Sequence, residues 1–300
     1  MEIGLIFAVL VAVFYGLGDN FVRRGVLRAG ESYTSFLFSL FIGILLLSVI
    51  ISVRTEWDIL WHISGRALKL LVFSGIIHLI GGSFLFFSAV RRIGANKAGI
   101  IGRIEIPIAV TLGVIILNEA LSDTLILGVL FISLGVILTG LERKSALNLD
   151  GGSVIYQAQV NGILLTIAAG FFWGISGIFI RPALQEIGSP FVGSFISYCS
   201  AFVIILAFLF GKGPREKLAQ LNRPAIAPII IAGVLIPAAN ICKYIALSLI
   251  PVSLVMPVAA THIIYLIVFA YLMNRKVEVF TPKVIAGILL AAAGTVIIAL

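Results

Sequence analysis

The chain has 300 residues, of which 61% are hydrophobic and only 11% are charged, with a formal net charge of +8 and a mean hydropathy of +1.19. Soluble domains are roughly half apolar and a quarter charged, so this composition excludes a soluble globular protein and indicates an integral membrane protein. The excess Lys and Arg lie in short loops between apolar segments, which indicates a role in membrane orientation and not in nucleic-acid binding.

Ten apolar segments are long enough to cross a hydrocarbon layer about 30 Å thick as α-helices. The sequence therefore predicts an all-α integral membrane protein with ten transmembrane helices, at residues 3–22, 34–53, 70–90, 98–117, 124–141, 161–180, 191–210, 225–249, 252–273 and 283–300. The first segment has no basic start and no clear cleavage site, so we interpret it as a retained helix. Cys199 and Cys242 fall inside predicted helices, which favours buried thiols over a disulfide or a metal site.

The ten predicted helices form two sets of five that resemble each other. An offset of 158 aligns FYGLGDNFVRRGVLRAG, which starts at Phe14, with FWGISGIFIRPALQEIG, which starts at Phe172. The fifth and tenth helices align through paired glycines seven residues apart, a spacing that places small residues on one face and lets helices approach closely. We therefore predict a first repeat at residues 1–141, a linker at 142–160 and a second repeat at 161–300.

The odd number of helices in each repeat predicts that the second repeat enters the membrane in the opposite direction from the first. The basic residues agree, because 15 of the 21 Lys and Arg lie on one predicted side of the membrane and 4 on the other. Basic loops favour the cytoplasm. The sequence therefore predicts two inverted repeats in the plasma or inner membrane, with a cytoplasmic linker and both termini outside.

The fourth predicted helix carries two charged residues near its middle. Arg103 and Glu105 are followed by Pro107, which has no N–H and leaves the carbonyl of Arg103 without its helical donor. One charge at the bilayer centre costs about 2.5–3.5 kcal/mol on insertion scales, so such residues are functional candidates. On a regular helix, positions two apart point in different directions. We therefore predict an interrupted helix along a central polar site, in which only one of the two charges needs to face the cavity.

Two more predicted helices carry polar groups at a similar depth. In the eighth, Asn240, Lys243 and Tyr244 have the spacing i, i+3 and i+4, which places them on one face. In the ninth, His262 and Tyr265 share a face. The predicted substrate or ion site comprises Arg103, Glu105, Asn240, Lys243, Tyr244, His262 and Tyr265, with Tyr15, Asp19, His78, Trp173, Ser176 and Tyr198 as weaker candidates.

These charges allow two interpretations. Arg103, Glu105 and Lys243 either contact a substrate or coupling ion, or they only neutralise one another as a buried network. A second interpretation of His78 and His262 is that they are structural residues between helices. Asp19 is alternatively a hydrated residue near the cytoplasmic end of its helix.

Two hypotheses about chemistry follow from the positions of the charges. Lys243 and Arg103 give the predicted site an excess of fixed positive charge. The sequence therefore predicts a preference for substrates with an anionic group, which would offset this excess. The repeat alignment, with a slip of one residue, brings His262 opposite Glu105. This pairing predicts that Glu105 takes up a proton during transport, with His262 as its partner.

Several features together resemble a known transporter family. The FYG and FWG openings, the sequence LNEAL at residues 117–121 and the paired glycines of the fifth and tenth helices resemble the EamA-like branch of the drug/metabolite transporter superfamily. The second repeat reads Met273-Asn274-Arg275 at the corresponding position and lacks the acidic residue. The resemblance implies two inverted five-helix repeats and solute transport, but it implies no shared substrate residues.

The sequence contains no Gly-Lys-Ser phosphate loop, no His-Glu-x-x-His zinc motif and no Gly-x-Ser-x-Gly elbow, so we expect no enzyme activity, catalytic residue, metal or cofactor. The predicted function is secondary active transport, with export as the direction, of a small polar metabolite such as an amino-acid-like compound or another organic anion or zwitterion. The expected partners are the lipid bilayer, the metabolite and a coupling proton or other solute, with a monomeric or homodimeric chain. A lipid-carrier flippase on the same fold and a membrane-embedded enzyme are the alternatives.

Overall fold

The structure is a computed structural model, and it describes residues 1–29, 32–141, 153–208, 223–273 and 282–299. These residues form ten long helices and no strand. We number the helices α1 (Glu2–Ala29), α2 (Tyr33–Arg54), α3 (Gly65–Ile93), α4 (residues 95–117), α5 (Asp123–Leu141), α6 (Ser153–Ile187), α7 (Pro190–Phe208), α8 (Arg223–Leu249), α9 (Val252–Met273) and α10 (Pro282–Ala299). A short helix, Ile59–His62, lies between α2 and α3.

Seven of these helices, α1, α2, α3, α6, α7, α8 and α9, are long and apolar enough to cross a membrane. Helices α5 and α10 contain shorter apolar stretches, at Asp123–Gly135 and Ile285–Ile298. The predicted all-α membrane fold is therefore confirmed.

Several helices are longer than the sequence predicted. Helix α1 continues to Ala29, α3 begins at Gly65 and α6 begins at Ser153, inside the segment predicted as a linker. Hydropathy marks only the part of a helix that contacts lipid, and the hydrogen bonds of the helix continue beyond it. The rest of the predicted linker, residues 142–152, lies outside the described residues.

Two helices are irregular at the depth of the predicted site. Helix α3 contains a π-helical segment, Ile76–Phe84. In α4, a 3₁₀ turn at Gly102–Ile104 separates Ala95–Ile101 from Glu105–Leu117. Such departures from α-helical geometry are common at functional sites. The predicted interruption of α4 is therefore present in the structure.

Corresponding helices of the two repeats pack against corresponding neighbours. Helix α1 packs along α8 and α9, and its counterpart α6 packs along α3 and α4. Helices α5 and α10, which correspond to each other, pack together. Each of these contacts recurs when the two repeats are exchanged, as expected for two inverted five-helix repeats.

Two equivalent glycines bring α1 and α6 against equivalent positions. A Cβ atom on Gly16 would lie 2.9 Å from the carbonyl oxygen of His262, and one on Gly174 would lie 3.1 Å from the carbonyl oxygen of Glu105. These distances leave little room for a larger residue. The packing therefore matches Glu105 with His262 across the repeats, in agreement with the sequence alignment.

Helices α5 and α10 meet backbone to backbone. A Cβ atom on Gly128 would lie 2.8 Å from the carbonyl oxygen of Gly294, and one on Gly294 would lie 2.6 Å from that of Gly128. Glycine at both positions allows this close approach, as expected for small residues on one face of a membrane helix.

Candidate functional site

A central cavity lies between the two repeats, with about 490 Å³ of space that atoms do not fill, a figure that includes open solvent. Its walls come from α1, α3 and α4 of the first repeat and from α6, α8 and α9 of the second. The lining combines charged, polar and apolar side chains: Tyr15, Asp19, His78, Ser83, Phe86, Phe87, Arg103, Glu105, Trp173, Ile236, Lys243, Met256, Ala259 and His262.

Arg103 and Glu105 form a buried ion pair. Arg103 Nη1 lies 2.8 Å from Glu105 Oε1, and the two side chains are 5% and 9% exposed. The sequence had suggested different directions for these residues, but both line the same cavity. The 3₁₀ turn explains the difference. Side chains two positions apart differ in direction by about 160° on an α-helix but by only about 120° on a 3₁₀ helix, which has about three residues per turn. The long arginine side chain spans the remaining distance.

His262 connects this ion pair to Asp19. Arg103 Nη1 lies 3.1 Å from His262 Nδ1, and a longer contact of 3.5 Å joins Arg103 Nη2 to His262 Nε2. A guanidinium group only donates hydrogen bonds, so Nδ1, at the shorter distance, must accept. His262 Nε2 then carries the hydrogen and faces Asp19 Oδ2 at 3.4 Å. The shorter contact therefore fits a neutral His262 with its hydrogen on Nε2.

Asp19 is 4% exposed and lines the cavity. The alternative of a hydrated residue near the helix end is therefore wrong. Helix α1 continues from Asp19 to Ala29, which adds about 15 Å of helix beyond this carboxylate. The cavity contains two buried carboxylates, whereas the sequence analysis had placed only Glu105 at this depth.

Asn240 organises a second hydrogen-bond network behind the cavity. Its Oδ1 accepts from Tyr15 Oη at 2.7 Å and faces His78 Nε2 at 2.9 Å. Its Nδ2 donates to Tyr198 Oη at 3.0 Å and to the Ile236 carbonyl oxygen at 3.1 Å. The carbonyl can only accept, so it fixes the orientation of the amide, and His78 Nε2 must then be a donor. Asn240 uses its full hydrogen-bonding capacity within the protein and thereby positions Tyr15 and His78.

The other side of the His78 ring faces α6. His78 Nδ1 lies 3.1 Å from Ser176 Oγ. The Ser176 hydroxyl group donates to the Trp173 carbonyl oxygen at 2.8 Å. Trp173 Nε1 in turn donates to the His78 carbonyl oxygen at 3.2 Å. The histidine therefore links α3 of the first repeat to α6 and α8 of the second.

Lys243 differs from the other charged residues of the cavity. Its side chain lines the cavity and the residue is only 3% exposed. Within the part of the chain that the structure describes, its ammonium group makes no hydrogen bond and no ion pair shorter than 4 Å, although the Glu105 carboxylate attracts it at longer range. Burial of an unpaired ammonium group is costly, which makes Lys243 the strongest candidate for contact with a ligand.

Two predicted residues lie away from the cavity. Tyr244 is buried, and its hydroxyl group lies near Ser197 and Ser74. Successive residues of a helix are about 100° apart, so Lys243 can face the cavity while Tyr244 faces a neighbouring helix. Tyr265 packs against α1 at Gly16.

Sequence reasoning missed most of the apolar lining of the cavity. The missed apolar residues are Phe86, Phe87, Ile236, Met256 and Ala259, and the polar Ser83 was missed as well. Apolar side chains that face a cavity look like those that face lipid when only the sequence is known, because both lie in apolar helices.

Glu119, another residue that the sequence did not mark as a candidate, joins the repeats outside the cavity. Its carboxylate accepts the N–H groups of Val252 at 2.7 Å and Ser253 at 2.8 Å, and it lies 3.5 Å from Arg181 Nε. These N–H groups begin α9, where Pro251 at the N-cap makes no side-chain cap hydrogen bond. A carboxylate at a helix N-terminus satisfies free donors and complements the helix dipole.

Glu119→Gln is expected to lower the free energy of unfolding by about 1–3 kcal/mol, because it weakens two charge-assisted hydrogen bonds and removes an ion pair. The measurement is thermal unfolding of the purified protein in detergent. Glu2→Gln, at an exposed carboxylate, is the matched control and should leave the unfolding temperature unchanged. Equal effects of the two variants would contradict a capping role for Glu119.

Comparisons with known proteins place this architecture in a family. A model of the EamA-like transporter family matches residues 2–141 and 160–300. The chain is 26% identical over 147 residues to an uncharacterized transporter from Clostridium kluyveri, covering 48% of this chain and 46% of that protein. It is 22% identical over 207 residues to an uncharacterized transporter from Methanothermobacter thermautotrophicus, covering 69% of this chain and 58% of that protein. The matches therefore span about half the length of these relatives.

A protein of known crystal structure has the same fold. The TM-score is 0.70 at 15% sequence identity, and the match covers 99% of this chain and 94% of that one. At this identity the likeness concerns the fold alone. The family match covers nearly the whole of both repeats, in agreement with the resemblance noted in the sequence, and the chain therefore belongs to the EamA-like transporter family.

Proposed function

We propose that the chain is a secondary active transporter of a small polar metabolite, which works by opening the central cavity alternately to the two sides of the membrane. The observation that supports this function is the placement of four charged residues in one cavity between two inverted repeats. Charges deep in a membrane protein are costly and mark substrate or ion pathways. Cavities between inverted repeats are the usual sites of alternating access.

Transport can be tested with the purified protein in two steps. A thermal-shift screen against metabolites, at two pH values, first identifies ligands, because selective binding stabilises the folded state. Counterflow in reconstituted vesicles then tests whether these ligands cross the membrane, and in which direction. We expect the stabilising compounds to be exchanged.

Three results would contradict the proposal in different ways. Ligands that bind and never cross would exclude transport. Chemical conversion of a ligand would indicate a membrane-embedded enzyme. Movement of only lipid-linked compounds would indicate a flippase, which needs an opening toward the lipid.

The orientation of the chain is a separate prediction. We expect the linker in the cytoplasm and both termini outside, because the Lys and Arg residues are distributed 15 to 4. Reporter fusions at Asp150 and after Leu300 should therefore give opposite compartment signals. The same signal from both fusions would contradict this topology.

A further inference from the structure

The charges of the cavity lining balance, and one of them, Lys243, has no ion-pair partner within 4 Å among the described residues. Arg103 is paired with Glu105, and Asp19 faces His262. Lys243 is the second cation of the cavity lining. With its histidines neutral, the cavity therefore has a net charge of zero. An anion would satisfy the free ammonium group of Lys243, but it would leave one excess negative charge in a buried space, which is unfavourable.

A proton taken up together with the anion would restore the balance, and most titratable groups of the cavity are badly placed to accept it. A proton on Glu105 would remove the counter-charge of Arg103. A proton on His262 Nδ1 would set two donors against each other, because Arg103 already donates to that nitrogen. A proton on Asp19 would weaken its contact with His262 Nε2, because a neutral carboxyl group is a weaker acceptor than a carboxylate.

His78 is differently placed, because both of its ring nitrogens face atoms that can accept a hydrogen bond. Nε2 already donates to Asn240 Oδ1. Nδ1 faces Ser176 Oγ, whose own hydrogen is directed to the Trp173 carbonyl oxygen, so the oxygen lone pairs remain available. A second proton on His78 is therefore accommodated without breaking another contact. In the neutral ring, the Ser176 hydroxyl can turn its hydrogen toward Nδ1, so both protonation states have partners.

The surroundings of His78 link its protonation to the occupancy of Lys243. Lys243 and His78 line the same cavity, so in the empty cavity the positive charge of Lys243 opposes a second positive charge on His78. An anion bound at Lys243 removes this opposition. The polar groups that face the ring or the same cavity are Tyr15, Asp19, Ser83, Arg103, Glu105, Trp173, Ser176, Asn240, Lys243 and His262.

We propose that the cavity binds the carboxylate of an organic monoanion at Lys243, and that His78 takes up one proton when the anion binds. This inference rests on the proposed transport function, in which anion and proton cross the membrane together as a neutral pair. It assigns the proton to His78 and not to Glu105 with His262 as its partner. The aromatic side chains of Phe86, Phe87 and Trp173 suit the apolar part of such an anion.

Benzoate and benzamide form a matched pair of probes, since they have nearly the same shape and only benzoate is charged. The purified full chain is titrated with each compound in weakly buffered solution that contains a pH indicator. We expect saturable benzoate binding with uptake of about one proton per anion. The affinity should then rise about tenfold for each unit by which the pH falls, until His78 is protonated in the free protein as well. Benzamide should bind weakly and take up no proton.

Four variants separate the roles of the residues. Lys243→Met should weaken benzoate binding about 10- to 150-fold, the range for a hydrogen bond to a charged group, and should leave benzamide unaffected. His78→Gln should abolish both proton uptake and the pH dependence of benzoate affinity. Ser176→Ala keeps the imidazole but removes its acceptor, so proton uptake should require lower pH. His62→Gln, at an exposed histidine, should behave like the unmodified protein.

Each contrary result has a definite meaning. The inference is overturned if benzoate does not bind, if His78→Gln still takes up the proton, or if Lys243→Met weakens both probes equally. If His78→Gln does not fold, the pH dependence of the unmodified protein and of Ser176→Ala still decides the question. If benzoate does not bind while another metabolite shows counterflow, the inference about anion and proton is wrong and the proposed transport function is retained. If benzoate binds with its proton and nothing crosses, transport fails and the site stands.

Discussion

Arg103→Met is expected to abolish transport and to lower the free energy of unfolding by about 3–5 kcal/mol, the usual effect of removing one partner of a buried ion pair. The change leaves the Glu105 carboxylate buried without its counter-charge. It also removes the donor to the Ala260 carbonyl oxygen and to His262 Nδ1. Chemical unfolding in detergent and counterflow in vesicles measure the two effects.

The double variant Arg103→Met/Glu105→Gln separates stability from function. It removes both charges of the Arg103–Glu105 pair and so leaves neither of them unpaired, and most of the lost stability should return. Transport should remain absent if the pair contributes to the site, whereas recovered transport would identify the pair as a purely structural network. Arg54→Met is the matched control, because Arg54 and Glu56 form an exposed ion pair of 2.6 Å. Exposed ion pairs contribute about 0–1 kcal/mol to the free energy of unfolding. If Arg103→Met lowered this free energy no more than Arg54→Met does, the expectation would be contradicted.

Asn240→Leu is expected to lower ligand affinity at least about 100-fold and to cost roughly 3 kcal/mol of stability or more, because it leaves several buried polar groups without partners. Leucine branches at the same carbon as asparagine and is larger, so the change leaves no empty space. The loss therefore reports on hydrogen bonds and not on a cavity. Tyr15 and His78 would no longer be held in one orientation, and the Ile236 carbonyl oxygen would lose its side-chain donor.

Ligand-induced thermal shifts and chemical unfolding measure these effects. Asn161→Leu replaces an exposed amide and should change neither quantity. Tyr15→Phe removes one hydrogen bond of the same network and should have a smaller effect than Asn240→Leu. Unchanged ligand affinity in Asn240→Leu would show that the network does not position the site.

The sequence by itself determined the class of protein and its internal symmetry. Segments long and apolar enough to cross a membrane can form only helices or closed barrels there, because every backbone polar group must be satisfied without water. The paired glycines and the matching α1 and α6 sequences indicated two repeats, and the packing of Gly128 against Gly294 agrees with them. Arg103, Glu105 and Lys243 stood out as candidates because charges are rare in such segments.

Only the tertiary structure decided which groups meet and in which state. Local departures from the regular helix decided that Arg103 and Glu105 share a cavity, because one 3₁₀ turn changes the direction of both side chains. Contacts between distant helices decided that Asn240 positions other residues and that, among the described residues, Lys243 forms no ion pair shorter than 4 Å. Hydrogen-bond roles depend on the acceptor that each donor meets across the repeats, and helical periodicity describes only the direction in which a side chain leaves its own helix.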